Sequence, residues 1–198
     1  ATVLHQDAIF PVRNASIPIN IKNTNDPSAK GTMIVPEAPE GKNEHIITGI
    51  AGKKNFSAVC IEKDEMNSEI GFLRRVLTLM ESEGICFEHI PTGIDTMNIV
   101  VNSDDINAHP NFVDRVKEVT NPNHIEIEHN LALIAVVGRG MKATKGTATR
   151  IFAALSHADI NIKMIDQGSS ELNIIIGIEE AEFENAIKVI YNMFMLQE

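Results

Sequence analysis

Two stretches of equal length decide how this chain folds: residues 56–90, FSAVCIEKDEMNSEIGFLRRVLTLMESEGICFEHI, and residues 131–165, LALIAVVGRGMKATKGTATRIFAALSHADINIKMI. Laid over one another at an offset of 146 − 71 = 75, they match without a gap. Val59 falls on Ile134, Ile61 on Val136, Met66 on Met141, Gly71 on Gly146, Val76 on Ile151 and Ile85 on Ile160. The register runs on through Gly93 on Gly168 and Asn98 on Asn173, then shortens to 183 − 112 = 71, where Phe112 meets Phe183. Self-similarity at a fixed offset marks a repeated structural unit.

Within each copy the hydrophobic period switches in one order. FSAVCI and LALIAVV are short apolar runs, read as buried strands; GFLRRVLTLMESEG and GTATRIFAALSHAD carry apolar residues at three-and-four spacing, read as amphipathic helices. ICFEHI and INIKMI alternate, as half-buried strands do. MNIVV and LNIIIGI then precede the helical NFVDRVKEV and EFENAIKVIYNMF, and the first copy closes with a further strand, HIEIEH. The order β-α-β-β-α-β predicts an α+β, ferredoxin-like fold with antiparallel sheets, helices on one face and the other face free to pack or bind.

The second copy ends at its helix and is one strand short, which would leave a sheet edge open. HIITGIAG, ahead of the first copy, is the unassigned strand-like run, so residues 45–52 are expected to supply that strand and interleave the modules. The expected division is 1–44 as the tail of a different domain plus a linker, 45–52 as the donated strand, 53–129 as the first module and 130–198 as the second. In the first segment IPINIKN reads as a strand, DPSAKG as a turn and PEAPEGKN as a linker.

Composition narrows the function classes. The 198 residues are 43% hydrophobic and 22% charged, with a net charge of −10 that opposes nucleic-acid phosphates. No apolar run nears the roughly 20 residues of a membrane span. The start, ATVLHQDAIFPV, is not built as a signal peptide. Cys60 and Cys86 sit in strand-like runs as free thiols, suiting a reducing cytoplasm. The N-x-S sequons at Asn14 and Asn55 matter only in a secreted chain.

The loop between first strand and first helix of each copy is the sharpest candidate site. It ends in glycine at a helix start, where free N–H groups and the helix dipole suit a carboxylate. In the plainer alternative Gly71 and Gly146 only permit close packing and Ser68 is an N-cap. Glu69 and Glu88 can hold a cation between them, or be ordinary solvated carboxylates. The second loop, residues 138–146, is basic and glycine-rich but lacks the GK[ST] ending of a phosphate loop. Its Met141, Lys145, Gly146 and Thr147 are read as dimer contacts. His124, Glu126, Glu128 and His129 are conceivable metal ligands, but a solvent-facing strand explains them, and no metal site is expected. No G-x-S-x-G, H-E-x-x-H or Cys-His pattern is present, and no catalytic residue is assigned.

GIAGKKNFSAVCI, GFLRRVLTLMESEGI and VVGRGMKATKGTATRIFAALSHADINIKMIDQGSSELNIIIG together resemble the tandem ACT regulatory domains of aspartate kinase. VLHQDAIFPV and IPINIKNTNDPSAKGTMI are similar to the end of its kinase domain. The resemblance implies two interleaved ACT modules and an allosteric role. An end-product amino acid, lysine first and threonine second, would control ATP-dependent phosphorylation of L-aspartate. The parent enzyme would use ATP and magnesium in a catalytic domain opening with a K-F-G-G-T type strand, which is not in this sequence; the fragment itself would be inactive and without cofactor.

By the same resemblance the effector lies against Met66, Glu69, Gly71, Phe72, Leu73, Phe87 and Glu88, with Ser68, Ile70 and Thr92 completing the set, at a homodimer seam of first modules. The chain departs from the pattern at Glu69, where a small hydroxyl residue often sits, at Glu88, which replaces Asp, and at Thr92-Gly93-Ile94, which replaces T-S-E. A ligand-free dimerisation module, an ACT protein of another amino-acid pathway and an acyl-phosphate hydrolase on the same fold are the rival readings.

Overall fold

The structure, a computed structural model, describes residues 4–35 and 45–195. The chain divides into two compact units, Ala1–Glu44 and His45–Glu198. The linker expected over residues 36–43 lies outside the described residues.

The first unit holds a helix α1 (Gln6–Asn14) and a hairpin of β1 (Ile19–Ile21) with β2 (Thr32–Ile34). Sequence reading found β1 but neither α1 nor β2. Pro11 lies inside α1, where it removes a backbone bond and masks the helical pattern. The expected turn is present, with Ser28 Oγ donating to Asp26 at 2.6 Å and Lys22 Nζ donating to the Pro27 carbonyl at 2.7 Å.

The second unit is one six-stranded antiparallel sheet in the order β4-β5-β3-β6-β8-β7, covered by helices. Its elements are β3 (Gly49–Glu62), α2 (Phe72–Glu83), β4 (Phe87–His89), β5 (Thr96–Asn102), α3 (Ser103–Ala108), α4 (Phe112–Thr120), β6 (His124–Val137), α5 (Thr147–His157), β7 (Ile162–Asp166), β8 (Asn173–Glu179) and α6 (Phe183–Met195). The sequence divides HIITGIAG from FSAVCI and HIEIEH from LALIAVV, but residues 49–52 of the first continue into FSAVCI, and HIEIEH into LALIAVV, as single 14-residue strands; residues 45–48 lie ahead of β3. The boundaries read at 52/53 and 129/130 therefore fall inside β3 and β6. The far half of β3, Phe56–Glu62, pairs with β5, while Gly49–Lys53 pairs with Leu133–Val137 of β6, which in turn pairs with β8. Each module is thus a four-stranded β-α-β-β-α-β unit, and the two long strands belong to both.

Both long strands are bulged at corresponding places. Lys53 opposes Leu133 and Phe56 opposes Leu131, leaving β3 one residue in excess; Phe56 to Ala58 against Leu131 to Glu128 leaves β6 one in excess. The residues with positive φ there are Asn55 (72°) and Asn130 (59°), and 130 − 55 = 75, the repeat offset. Asn tolerates this conformation better than most residues. A bulge resets the side-chain alternation, so the apolar residues of both halves face helices. Val59, Ile61, Ile99 and Val101 pack under Val76 and Met80 of α2 and Phe112 and Val116 of α4. Ile134, Val136, Ile174 and Ile176 pack under Ile151 and Leu155 of α5 and Ile190 and Phe194 of α6.

The opposite face, read as free to pack or bind, packs in part. Phe56, Ala58, Val100, Leu131 and Leu133 form a third buried cluster there, with Met164 of β7 against it. The sheet curls, since bulges add twist and bend. In a flat sheet, five inter-strand steps would set β4 and β7 about 24 Å apart, yet His89 Nδ1 of β4 lies 3.2 Å from Asp166 Oδ2 of β7.

Candidate functional site

The two strand-to-helix loops share one backbone course: a 3-10 turn (Met66–Ser68 or Arg139–Ala143), a left-handed glycine and a helix. Met66 and Met141 are buried anchors of these turns. Gly71 has φ 81° and Gly146 φ 85°. A Cβ on Gly71 would meet only the Arg74 guanidinium, at 3.7 Å, and one on Gly146 nothing within 4 Å. Close packing is therefore not why glycine stands there. The conformation is, since L side chains are strained in it.

Neither helix start is capped by a side chain, and neither first turn holds an acid. Ser68 is not the cap: its hydroxyl donates to Asn67 Oδ1 at 3.3 Å. Thr147 Oγ1 turns back to donate to the Thr144 carbonyl at 3.0 Å. Among the described residues the leading N–H groups of α2 and α5 have no side-chain acceptor, although the Phe72 N–H donates to the Glu69 carbonyl at 3.2 Å; N–H groups left in this way suit a carboxylate.

The first loop is braced by neighbouring turns, through Asp95 and Asn123, which sequence reading did not single out, and through the Ile94 carbonyl. Asp95 accepts from the Glu65 N–H at 2.9 Å, Asn123 accepts from the Asp64 N–H at 2.8 Å, and the Ile94 carbonyl accepts from the Asn67 N–H at 3.1 Å. Lys63 donates to the carbonyls of Thr120 (2.8 Å) and Asn121 (3.1 Å). Its ammonium also lies 3.3 Å from Glu69, whose other oxygen accepts from Arg75. Partial burial pushes the Glu69 carboxyl up, but Arg75 and Lys63 outweigh that and hold it below its ordinary value of 4.5.

Glu69 is consequently neutralised within its own chain and does not form the expected acidic pair with Glu88. Glu88 sits exposed on edge strand β4, with no hydrogen bond or ion pair among the described residues. Phe72 is buried, whereas Ile70 (98% exposed), Ile94 (68%) and Leu73 (39%) are large apolar side chains left open around the loop, and Phe87 (49%) is open on β4, opposite Val101 and so toward the other end of the sheet. Thr92 is exposed and bridges to Met97 through its backbone.

The second loop lines a cavity of about 300 Å³, formed by Met141, Lys142 and residues 144–148 with Gln167, Glu171 and Ile174. Its volume lies at the low end of small-molecule sites, about 300–1,000 Å³. Gln167, Glu171 and Ile174 carry no local motif, and only the folded β7–β8 connection delivers them.

The conceivable metal set disperses. Glu128 holds Lys163 at 2.7 Å, His129 Nδ1 meets Ser57 Oγ at 3.0 Å, and His124 stands 3.6 Å from Glu126. Burial first, then Glu128, Glu126 and Glu62, raise the Cys60 thiol above its usual range and keep it protonated.

Residues 45–195 form two β-α-β-β-α-β units with a left-handed glycine at each first helix, and residues 134–194 match the ACT domain as a sequence family. The chain is 40% identical over 195 residues to aspartokinase 3 of Bacillus subtilis, covering 98% of this chain and 42% of that protein. It superimposes on the crystal structure of Clostridium acetobutylicum aspartate kinase with a TM-score of 0.89 at 50% identity, over 97% of this chain and 45% of the other. E. coli aspartokinase III in complex with lysine and aspartate shares the fold, with a TM-score of 0.76 at 21% identity over 98% and 42% of the two chains. This chain matches the regulatory C-terminal region of aspartate kinase and spans under half the length of these relatives.

Proposed function

We propose that this chain is the part of an aspartate kinase that senses an end-product amino acid and, by binding it, controls ATP- and magnesium-dependent phosphorylation of L-aspartate by a catalytic domain outside this sequence. The observation that carries the reading is the pair of uncapped, glycine-started helices, α2 and α5, on a fold shared with aspartate kinases along nearly the whole chain. The effector carboxylate meets the α2 N-terminus, held by residues 66–73. Its side chain runs toward Phe87, Glu88 and Thr92.

Lysine is the first candidate and threonine the second. E. coli aspartokinase III is known in a T-state complex with lysine, and Glu88 is the carboxylate left free for an ammonium once Glu69 is bound to Lys63 and Arg75. Two chains meet at their first modules, covering Ile70, Leu73, Phe87 and Ile94. Ligand-linked rearrangement of that seam, with a coupling of about 1–3 kcal/mol, is read by the kinase domain. The setting is the cytoplasm, in keeping with two free cysteines, and the fragment alone is inactive.

Calorimetry of the chain with lysine, threonine and methionine, run beside sedimentation, tests this. Lysine is expected to bind. Glu88→Ala is expected to weaken it about tenfold or more, the loss of a charge-assisted hydrogen bond, while Glu126→Ala leaves it unchanged. A second reading, dimerisation without ligand, is favoured by the self-neutralised Glu69; a dimer that binds none of the three amino acids would establish it.

A further inference from the structure

The curled sheet brings the first-module edge and the second-module edge together through a single strand, β7. Lys163 reaches over β8 to Glu128 at 2.7 Å and also meets Glu179 at 3.3 Å. Glu128 belongs to the half of β6 that pairs with Ala58 in the first module. Met164 packs on the buried cluster of Phe56, Ala58 and Val100 on the helix-free face. Asp166, at the end of the strand, meets His89 of β4 at 3.2 Å, with side chains 46% and 21% exposed. The next residue, Gln167, lines the second-loop cavity, while His89 follows directly on Phe87 and Glu88 in the first module's candidate site.

We propose that β7 is a coupling strand, and that the His89–Asp166 clasp transmits the state of the first-module loop to the second-module cavity. The route is a contiguous physical path: β4, the clasp, Gln167, then the loop of residues 141–148. A displacement of β4 by a ligand on Glu88 moves His89, and Asp166 carries that to Gln167. The transmission half rests on the effector reading above; the clasp does not.

Hydrogen exchange on the whole chain, without ligand, tests the clasp. Asp166→Asn is expected to raise amide exchange over residues 87–91 by about two- to fivefold, and His89→Asn to raise it over residues 164–172 by a similar factor, as for an imidazole–carboxylate contact at a half-exposed strand edge. The double variant should add little to either single one. The exchanged pair, His89→Asp with Asp166→His, should return both segments toward wild type, which a general loss of folding would not permit. Changes confined to the substituted strand, or fully additive ones, overturn the clasp.

With millimolar lysine, exchange over residues 142–148 should change in the wild-type chain and not in His89→Asn, whose calorimetric affinity stays within about threefold of wild type. A change that persists in His89→Asn overturns the coupling. If wild type gives no heat with lysine, the effector reading falls, and the ligand-free exchange pattern still decides the clasp.

Discussion

The loops at 63–71 and 138–146 end alike, in a left-handed glycine at a helix start, and have opposite interiors. At their first residue stand Lys63 and Gly138, and 138 − 63 = 75. In the first module the Lys63 side chain crosses to the carbonyls of Thr120 and Asn121. In the second module the main chain itself fills that place: a Cβ on Gly138 would lie 2.3 Å from the Ile46 carbonyl oxygen and 2.6 Å from Ile47 Cα. At their seventh residue stand Glu69 and Thr144, and 144 − 69 = 75. One is a carboxylate bound to two cations, the other a hydroxyl beside a cavity. Duplication has kept the course of the chain, while ligand chemistry is set by the few side chains each copy uses to close its loop.

The comparison is broken most forcefully at Gly138. Gly138→Ala should destabilise the chain by about 3 kcal/mol in urea unfolding, because the obstructing atoms are backbone and cannot yield; a neutral result would remove the close-approach argument. Next in size are Gly71→Ala and Gly146→Ala, each about 1–2 kcal/mol from conformation alone, with Asn at either position milder. Unequal values at the two sites would show that the loops are less alike than their φ angles.

Lys63→Met should lose about 1 kcal/mol, chiefly its hydrogen bonds to two carbonyls, with the same unfolding assay as the measure. The smallest effect is electrostatic. Glu69 titrates in the folded chain below its ordinary 4.5, so its ion pairs stabilise fully above the unfolded value and are lost as pH falls through the folded one. Carbon-detected NMR of Glu69 should place its midpoint under 4.5, and Lys63→Met should move it upward. Thr144→Ala, at the corresponding place, should leave the acid limb of the stability curve unaltered.

Much of the fold was legible. Gapless self-matching gave the two modules and their element order, and the apolar positions Val59, Ile61, Ile134 and Val136 are core residues, as their runs imply. The helix α3 was not legible: it has six residues and rests on Asn102 Oδ1, which accepts from the Asp104 N–H at 2.9 Å. At the site, Met66, Gly71 and Gly146 stand at structurally distinctive positions, but Glu69 was read as open because its partners, Lys63 and Arg75, follow no spacing that announces a pair.

By itself the sequence determined what local periodicity and repetition encode: paired β-α-β-β-α units, glycine at the start of each first helix, and a strand that had to come from before residue 53. Tertiary structure alone decided that the strand pieces fuse into β3 and β6, that bulges at Asn55 and Asn130 turn both apolar faces toward helices, that the sheet curls until His89 meets Asp166, and that Gln167 and Glu171 line a cavity. The physical reason is range. Periodicity and left-handed glycines are properties of a few neighbouring residues, whereas ion pairs, sheet closure and cavities join side chains far apart in the chain, 77 positions for His89 and Asp166 (166 − 89) and 130 for Lys54 and Glu184 (184 − 54), whose meeting depends on how the whole sheet bends.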